Sequence, residues 1–112
     1  MPNLADKHCI PCEEGGKPLT KEQATDLMEQ VAGWILSDDA TQLTRSFPFK
    51  DFADALTFAD KVGKLAEEEW HHPDLSITWG RVDVTLSTHS IRGLSESDFI
   101  LAAKINGILA NV

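Results

Sequence analysis

The run Arg-Val-Asp-Val-Thr-Leu-Ser-Thr at residues 81–88 indicates most clearly which kind of fold this chain adopts. Its aliphatic residues, from Val82 to Leu86, alternate with polar ones, and a period of two is typical of a strand with one buried face. The pair Trp79-Gly80 separates this run from residues 75–78, which are also rich in strand-forming types. The two runs therefore predict a β-hairpin.

A helix is predicted on each side of this hairpin. Upstream, Asp51 is a good N-cap for a helix whose apolar residues recur at helical spacing. The stripe expected to face the core consists of Phe52, Ala55, Leu56, Ala59, Val62, Leu65 and Ala66. Pro73 is expected to end this helix, because it disfavours the helical conformation in its predecessor. Downstream, Ser95 is the predicted cap of a last helix, with Asp98 at its third position.

The first half of the chain repeats the same plan. Thr20 begins a capping-box pattern, and the helix that follows is expected to end at Gly33. Runs of strand formers at residues 34–36 and 43–49 predict another hairpin, in which Pro48 indicates an edge position or an irregular strand end.

The predicted order is therefore α-β-β-α-β-β-α, an α+β fold with three helices packed on one face of a four-stranded antiparallel sheet. Residues 1–18 contain several Pro and Gly residues and no apolar period, which predicts an extended N-terminal arm before a single domain at 19–112. The open face and the edges of such a sheet permit self-association.

Composition excludes several classes of function. The 112 residues include 10 Lys and Arg against 18 Asp and Glu, a net charge of −8, so direct nucleic-acid binding is disfavoured. No apolar run approaches the roughly 18 residues that span a bilayer, and the first residues lack a signal-peptide pattern. A cytoplasmic protein is expected.

The two cysteines, Cys9 and Cys12, lie in the predicted arm close to His8. A disulfide between them would close a very short loop and constrain little. A closed zinc site normally needs four ligands, and no second cysteine pair is present. Reduced thiols are the favoured interpretation, with a weak metal site that includes His8 as the alternative.

Three of the four histidines stand close together in the sequence. His71 and His72 follow an acidic run that begins at Glu67, and His89 follows within nineteen residues. Because an imidazole can give or take a proton near neutral pH, these residues suggest an acid/base pocket. A three-histidine zinc site is less favoured, since adjacent histidines are not a familiar metal spacing. Taken singly, each histidine also fits a loop or surface position.

Several separated motifs together resemble the pterin-4a-carbinolamine dehydratases. They are Gly33-Trp34, Phe49-Lys50-Asp51-Phe52, Glu67-x-x-x-His71-His72-Pro73, Trp79, Leu86-Ser87-Thr88-His89 and Gly93-Leu94-Ser95-Glu96-x-Asp98. The likeness covers about nine tenths of the chain, and only the arm falls outside it.

The resemblance implies loss of water from a 4a-hydroxytetrahydropterin, a step that recycles the tetrahydropterin cofactor after aromatic amino-acid hydroxylation. It implies a homodimer or homotetramer, a functional link to an aromatic amino-acid hydroxylase, and no cofactor or metal of the protein's own.

The resemblance also implies roles for single residues. His71 and His89 are similar to the proton-transfer pair of the family, and His72 is similar to the histidine that holds the pterin. Glu67 and Trp34 match pocket positions, the first toward a polar ring edge and the second as a wall.

Asp98 matches the last position of the family signature. It is expected to support a histidine or the helix cap rather than to react.

Two other functions are weighed against the enzyme. Some relatives are dimerisation partners of a homeodomain transcription factor, which would make this chain a binding module. A molybdopterin-related role is the third possibility, and the complete set of His71, His72 and His89 weighs against it.

Overall fold

The structure is a computed structural model that describes Leu4, residues 17–88 and residues 91–110. Within these ranges the helices and strands are α1 (Lys21–Leu27), β1 (Ile35–Leu36), β2 (Leu43–Pro48), α2 (Phe52–Glu69), β3 (Asp74–Thr78), β4 (Arg81–Leu86) and α3 (Glu96–Ala110). This order confirms the predicted α+β fold. In the same ranges, no helix combines the length and the apolar character needed to cross a membrane. His8, Cys9, Cys12 and His89 lie outside the described residues.

The four strands form one antiparallel sheet in the order β1-β2-β4-β3. On β2 and β4 the inward residues face each other in register, with Leu43 opposite Leu86 and Phe47 opposite Val82. All four of these side chains are fully buried, whereas the alternate residues carry the polar outer face. Pro48 is the last residue of β2, which confirms the strand-end interpretation. Although β2 is a central strand, β1 pairs only with Leu43 and Thr44, so Pro48 has a paired strand on its β4 side alone.

The core fills the space between the inner face of the sheet and the helices. Its largest buried side chains include Leu4, Leu43, Phe47, Phe58, Leu86, Leu94, Phe99, Ile100, Leu101 and Ile105. Phe58 lies at the centre, with its ring centroid 4.7 Å from that of Phe47 and 5.1 Å from that of Phe49.

The predicted stripe of α2 is wrong at two positions. Phe52 and Leu56 are 46% and 49% exposed, whereas Phe58, which the stripe left out, is buried. The buried face consists of Ala55, Phe58, Ala59, Val62 and Ala66, a narrower stripe at helical spacing. Leu56 lies instead in the groove beside the edge strand β3, together with Leu75 and Ile77.

The first helix also ends earlier than predicted. Its α-helical part stops at Leu27, and a single 3₁₀ turn follows at Met28–Gln30. Gly33 comes after that turn with a φ of +87°, and a Cβ there would lie 2.6 Å from the guanidinium carbon of Arg45. The positive φ favours glycine at this point, and any side chain there would also have to displace the end of the Arg45 side chain.

The N-cap of α2 gives a prediction about stability. Asp51 accepts a hydrogen bond from the backbone N–H of Asp54 at 2.8 Å. Asp51→Ala removes this acceptor and is expected to lower the free energy of unfolding by about 1 kcal/mol. Urea unfolding followed by circular dichroism measures the change. Asp38→Ala is the control, because it removes an exposed turn carboxylate and changes the net charge equally. Equal losses in the two variants would contradict the capping role.

Candidate functional site

The two adjacent histidines, His71 and His72, directly follow the end of α2. The helix ends at Trp70, which has left-handed backbone angles (φ 53°, ψ 36°) and donates its N–H to the carbonyl of Ala66. The N–H of His71 reaches the same carbonyl at 3.3 Å. Pro73 was predicted to end the helix, but the left-handed residue ends it three positions earlier. Beyond this turn, the side chains of His71 and His72 take different partners.

His71 is bonded to a buried carboxylate on α3. Its Nε2 lies 2.5 Å from Oδ1 of Asp98. The Asp98 side chain is 0% exposed and that of His71 is 13% exposed. Because a carboxylate oxygen accepts, His71 carries a hydrogen on Nε2, and in the neutral ring Nδ1 then holds the free lone pair. This pair joins the end of α2 to the start of α3.

The second oxygen of Asp98 accepts two more hydrogen bonds. The Thr88 hydroxyl donates to Oδ2 at 2.7 Å, and the backbone N–H of Ser95 donates at 2.9 Å. The Ser95 hydroxyl lies 3.0 Å from that of Thr88 and donates to it, since the single hydroxyl hydrogen of Thr88 is already used. Asp98 therefore supports both the histidine and the helix start. Among the described residues, every buried polar side-chain atom has a partner.

His72 has a different carboxylate partner. Its Nε2 lies 2.8 Å from Oε2 of Glu67, one turn back on α2. Here both side chains are largely exposed, 55% for His72 and 74% for Glu67. An exposed contact of this kind contributes little to stability, so both groups can exchange it for a ligand.

A groove of about 570 Å³ lies beside this exposed pair. It runs between α2 and the edge strand β3. Its lining consists of Leu56, Ala59, Asp60, Gly63, Lys64, Ala66, Glu67, His72, Pro73, Leu75 and Ile77. The lining is mostly apolar and includes a few polar side chains, a composition suited to a flat ring with polar edges. His71 is not among the lining residues.

Trp34 belongs to another group of residues. It is 5% exposed, and its indole N–H donates to Oδ1 of Asn106 on α3 at 2.8 Å. Its ring packs edge-on against Phe47 at 6.0 Å. Arg45 bonds the same Asn106 oxygen at 2.6 Å and lies over the Phe47 ring. These contacts are those of a core residue, and the pocket-wall role of Trp34 stays a prediction.

His89 lies outside the described residues, three positions after the end of β4 at Leu86. The residue before it, Thr88, forms an isolated antiparallel bridge with Gly93, with its N–H 2.8 Å from the Gly93 carbonyl. Where the structure describes the chain, no three His, Cys, Asp or Glu side chains are grouped to hold a metal ion.

Sequence reasoning missed Thr88, and the signal was present. Thr88 shares the parity of the buried residues Val82, Val84 and Leu86. A hydroxyl on the inward side of a strand needs a buried partner. The sequence therefore predicts a hydrogen-bond partner for this hydroxyl, and the structure shows that the partner is Asp98.

Comparisons with known proteins agree with one another. Residues 17–108 match the family of pterin 4 alpha carbinolamine dehydratases. A relative from Methylococcus capsulatus, named among the pterin-4-alpha-carbinolamine dehydratases, is 50% identical over 96% of this chain and 95% of its own. One of the same name from Rubrobacter xylanophilus is 48% identical over 95% of this chain and 98% of its own.

A solved structure gives the same result. The transcriptional coactivator/pterin dehydratase from Brucella melitensis superimposes with a TM-score of 0.77 at 39% identity. The match covers 82% of this chain and 98% of that one.

Proposed function

This chain belongs to the family of pterin 4 alpha carbinolamine dehydratases, and on that basis we propose that it removes water from a 4a-hydroxytetrahydropterin to give the quinonoid dihydropterin. Family membership supports the class of reaction.

The proposed step needs one acid and one base. The C4a–O bond breaks and its electron pair leaves with the oxygen, which takes a proton and departs as water. N5 loses its proton, and the N5–H electron pair forms the double bond to C4a. No electrons are exchanged with a second reactant, so two well-placed imidazoles meet the chemical requirement.

The position of His71 is the observation that carries the proposal. Its ring is bonded through Nε2 to the fully buried carboxylate of Asp98, which leaves Nδ1 to exchange a proton with the substrate. A carboxylate behind an imidazole fixes the tautomer and stabilises the protonated ring. We assign the second proton transfer to His89, which follows Thr88 directly in the sequence.

Substrate binding is assigned to the His72 end of the groove between α2 and β3, and the reacting atoms are placed just outside the groove lining, beside the adjacent His71. His72 and Glu67 stand at its wall with exposed polar atoms, and the lining from Leu75 and Ile77 offers an apolar surface to the flat bicycle. Glu67 can accept from the N–H groups of the pterin ring edge, and His72 can orient it.

The test follows the decay of chemically generated 4a-hydroxytetrahydropterin by absorbance. Native protein is expected to accelerate the decay, whereas heat-unfolded protein should not. Prior treatment with a chelator is expected to leave the rate unchanged. A chelator-sensitive rate would favour a zinc site, and no acceleration by folded protein would contradict the proposal.

Replacing His72 is expected to affect binding more than turnover. His72→Ala removes one polar contact to substrate and should raise KM roughly tenfold, with kcat changed less than about threefold. Steady-state kinetics measure both constants. The control is Ser76→Ala, an exposed residue of β3 that does not line the groove. A loss confined to kcat would contradict the binding role.

Protein binding is the second candidate function. The name of the Brucella melitensis relative includes transcriptional coactivator, and the groove here exposes apolar side chains from Leu56, Leu75 and Ile77 beside an edge strand. Such a surface can hold a partner helix. A folded protein that binds a partner at this groove but leaves the pterin decay unchanged would favour this candidate over the enzyme.

The cellular setting is part of the proposal. We place the reaction in the cytoplasm, after an aromatic amino-acid hydroxylase that produces the 4a-hydroxytetrahydropterin. We also propose a homodimer or homotetramer, because the edge strand β3 and the outer sheet face offer surfaces for self-association.

A further inference from the structure

Thr88 is a buried hydroxyl residue at the end of the β4 run. It is 6% exposed and lies on the inward parity that Val82, Val84 and Leu86 occupy with aliphatic side chains. A β-branched aliphatic residue would fit the same strand geometry without a polar group to satisfy. The hydroxyl therefore calls for an explanation beyond the packing of the strand.

The hydroxyl of Thr88 links the strand end to the carboxylate behind His71. It donates to Oδ2 of Asp98 at 2.7 Å, while the other oxygen of the same carboxylate meets Nε2 of His71 at 2.5 Å. The Ser95 N–H also donates to Oδ2, but Ser95 belongs to the same helix start as Asp98. Only Thr88 among these partners ties the carboxylate to the segment that follows β4.

We propose that Thr88 is a positioning residue for the dehydration step. Its hydroxyl holds the Asp98 carboxylate in the rotation that keeps Oδ1 on His71 Nε2, and it thereby fixes His71 in the tautomer with a free Nδ1. The catalytic consequence rests on the proposed function, whereas the effect on the tautomer does not.

The placement of Thr88 gives this role a second component. Two backbone hydrogen bonds join it to Gly93. The Thr88 N–H donates to the Gly93 carbonyl at 2.8 Å, and the Gly93 N–H donates to the Thr88 carbonyl at 3.4 Å. The backbone of Thr88 thus holds the bridge to Gly93, and its side chain holds the Asp98 carboxylate that bonds His71. A misplacement of about 1 Å between reacting groups can lower a rate by about 10²-fold.

The first experiment measures the tautomer directly and needs no substrate. In ¹⁵N-labelled protein, at a pH where the imidazoles are neutral, protonated and bare ring nitrogens have well-separated ¹⁵N shifts. The His71 signals are identified by their loss in His71→Ala. Wild type and Thr88→Ser are expected to hold the Nε2–H form, whereas Thr88→Val and Thr88→Ala should give a mixture of the two tautomers.

The second experiment measures turnover in the same variants. Thr88→Val keeps the shape of the side chain and is expected to lower kcat roughly tenfold, the lower end of what a hydrogen bond to a charged group supports. Thr88→Ser restores the hydroxyl and should recover kcat to within about threefold of wild type. KM is expected to change little in each variant.

Two results would overturn the proposal. One is a wild-type tautomer of His71 in both Thr88→Val and Thr88→Ala. The Thr88→Ala variant keeps this test possible if the Thr88→Val protein does not fold. The other is a loss in Thr88→Ser as large as in Thr88→Val, since that would assign the effect to the methyl group. If wild type has no dehydratase activity but the tautomer responds as expected, the proposed function fails and the positioning role stands.

Discussion

His71→Ala is expected to lower kcat by about 10²- to 10⁴-fold, the usual contribution of one acid or base group. The reason is the pairing of His71 with the buried Asp98 carboxylate, which leaves Nδ1 as the exchangeable position. Single-turnover measurements with 4a-hydroxytetrahydropterin separate this chemical step from binding, and KM is expected to change by less than about threefold.

His72→Ala is the matched control for this variant. It removes the neighbouring imidazole, whose partner Glu67 is exposed, and is expected to act on KM instead. Thermal unfolding of both variants checks that each is folded, since His71→Ala also deprives Asp98 of a partner. A kcat in His71→Ala close to that of wild type would refute the proton-transfer role.

Phe58→Ala is expected to have the largest effect on stability, a loss of about 3–5 kcal/mol in the free energy of unfolding. Phe58 is 1% exposed and packs between the rings of Phe47 and Phe49, so its removal leaves a cavity that the sheet cannot close. Denaturant unfolding at equilibrium measures the change, provided that both transitions are two-state.

Phe52→Ala provides the control on the same helix. The Phe52 side chain is 46% exposed, so its truncation removes less buried surface and should cost about 1 kcal/mol or less. Equal losses in the free energy of unfolding would contradict the assignment of Phe58, and not Phe52, to the buried face of α2.

The fold was predictable because local signals and burial agree along most of the chain. The alternation from Val82 to Leu86 matches a strand buried on one side, and Asp51 caps α2 as its position suggests. The errors fall where tertiary contacts decide. Phe58 and Phe52 are six residues apart on one helix, and only the position of the sheet determines which of them is covered.

The candidate site was predictable in its residue types and less so in its contacts. The dual role expected of Asp98 fits its bonds to His71 and to the Ser95 N–H. The left-handed turn at Trp70 could not be foreseen, because bulky side chains rarely adopt it. The chain leaves the helix at this turn, before Pro73, and the imidazoles of His71 and His72 then bond different carboxylates, those of Asp98 and Glu67.

Asp98 bonds both the start of α3 and the imidazole of His71, so its conservation among homologues need not depend on that of the histidine. A homologue without the proposed activity would still need the carboxylate to begin α3, through the Ser95 N–H, so selection for folding alone would keep it. His71 has no such second duty in the helix cap. A homologue without the proposed activity is therefore expected to have lost the histidine and kept the aspartate. A survey of homologous sequences for that combination would separate binding proteins from enzymes.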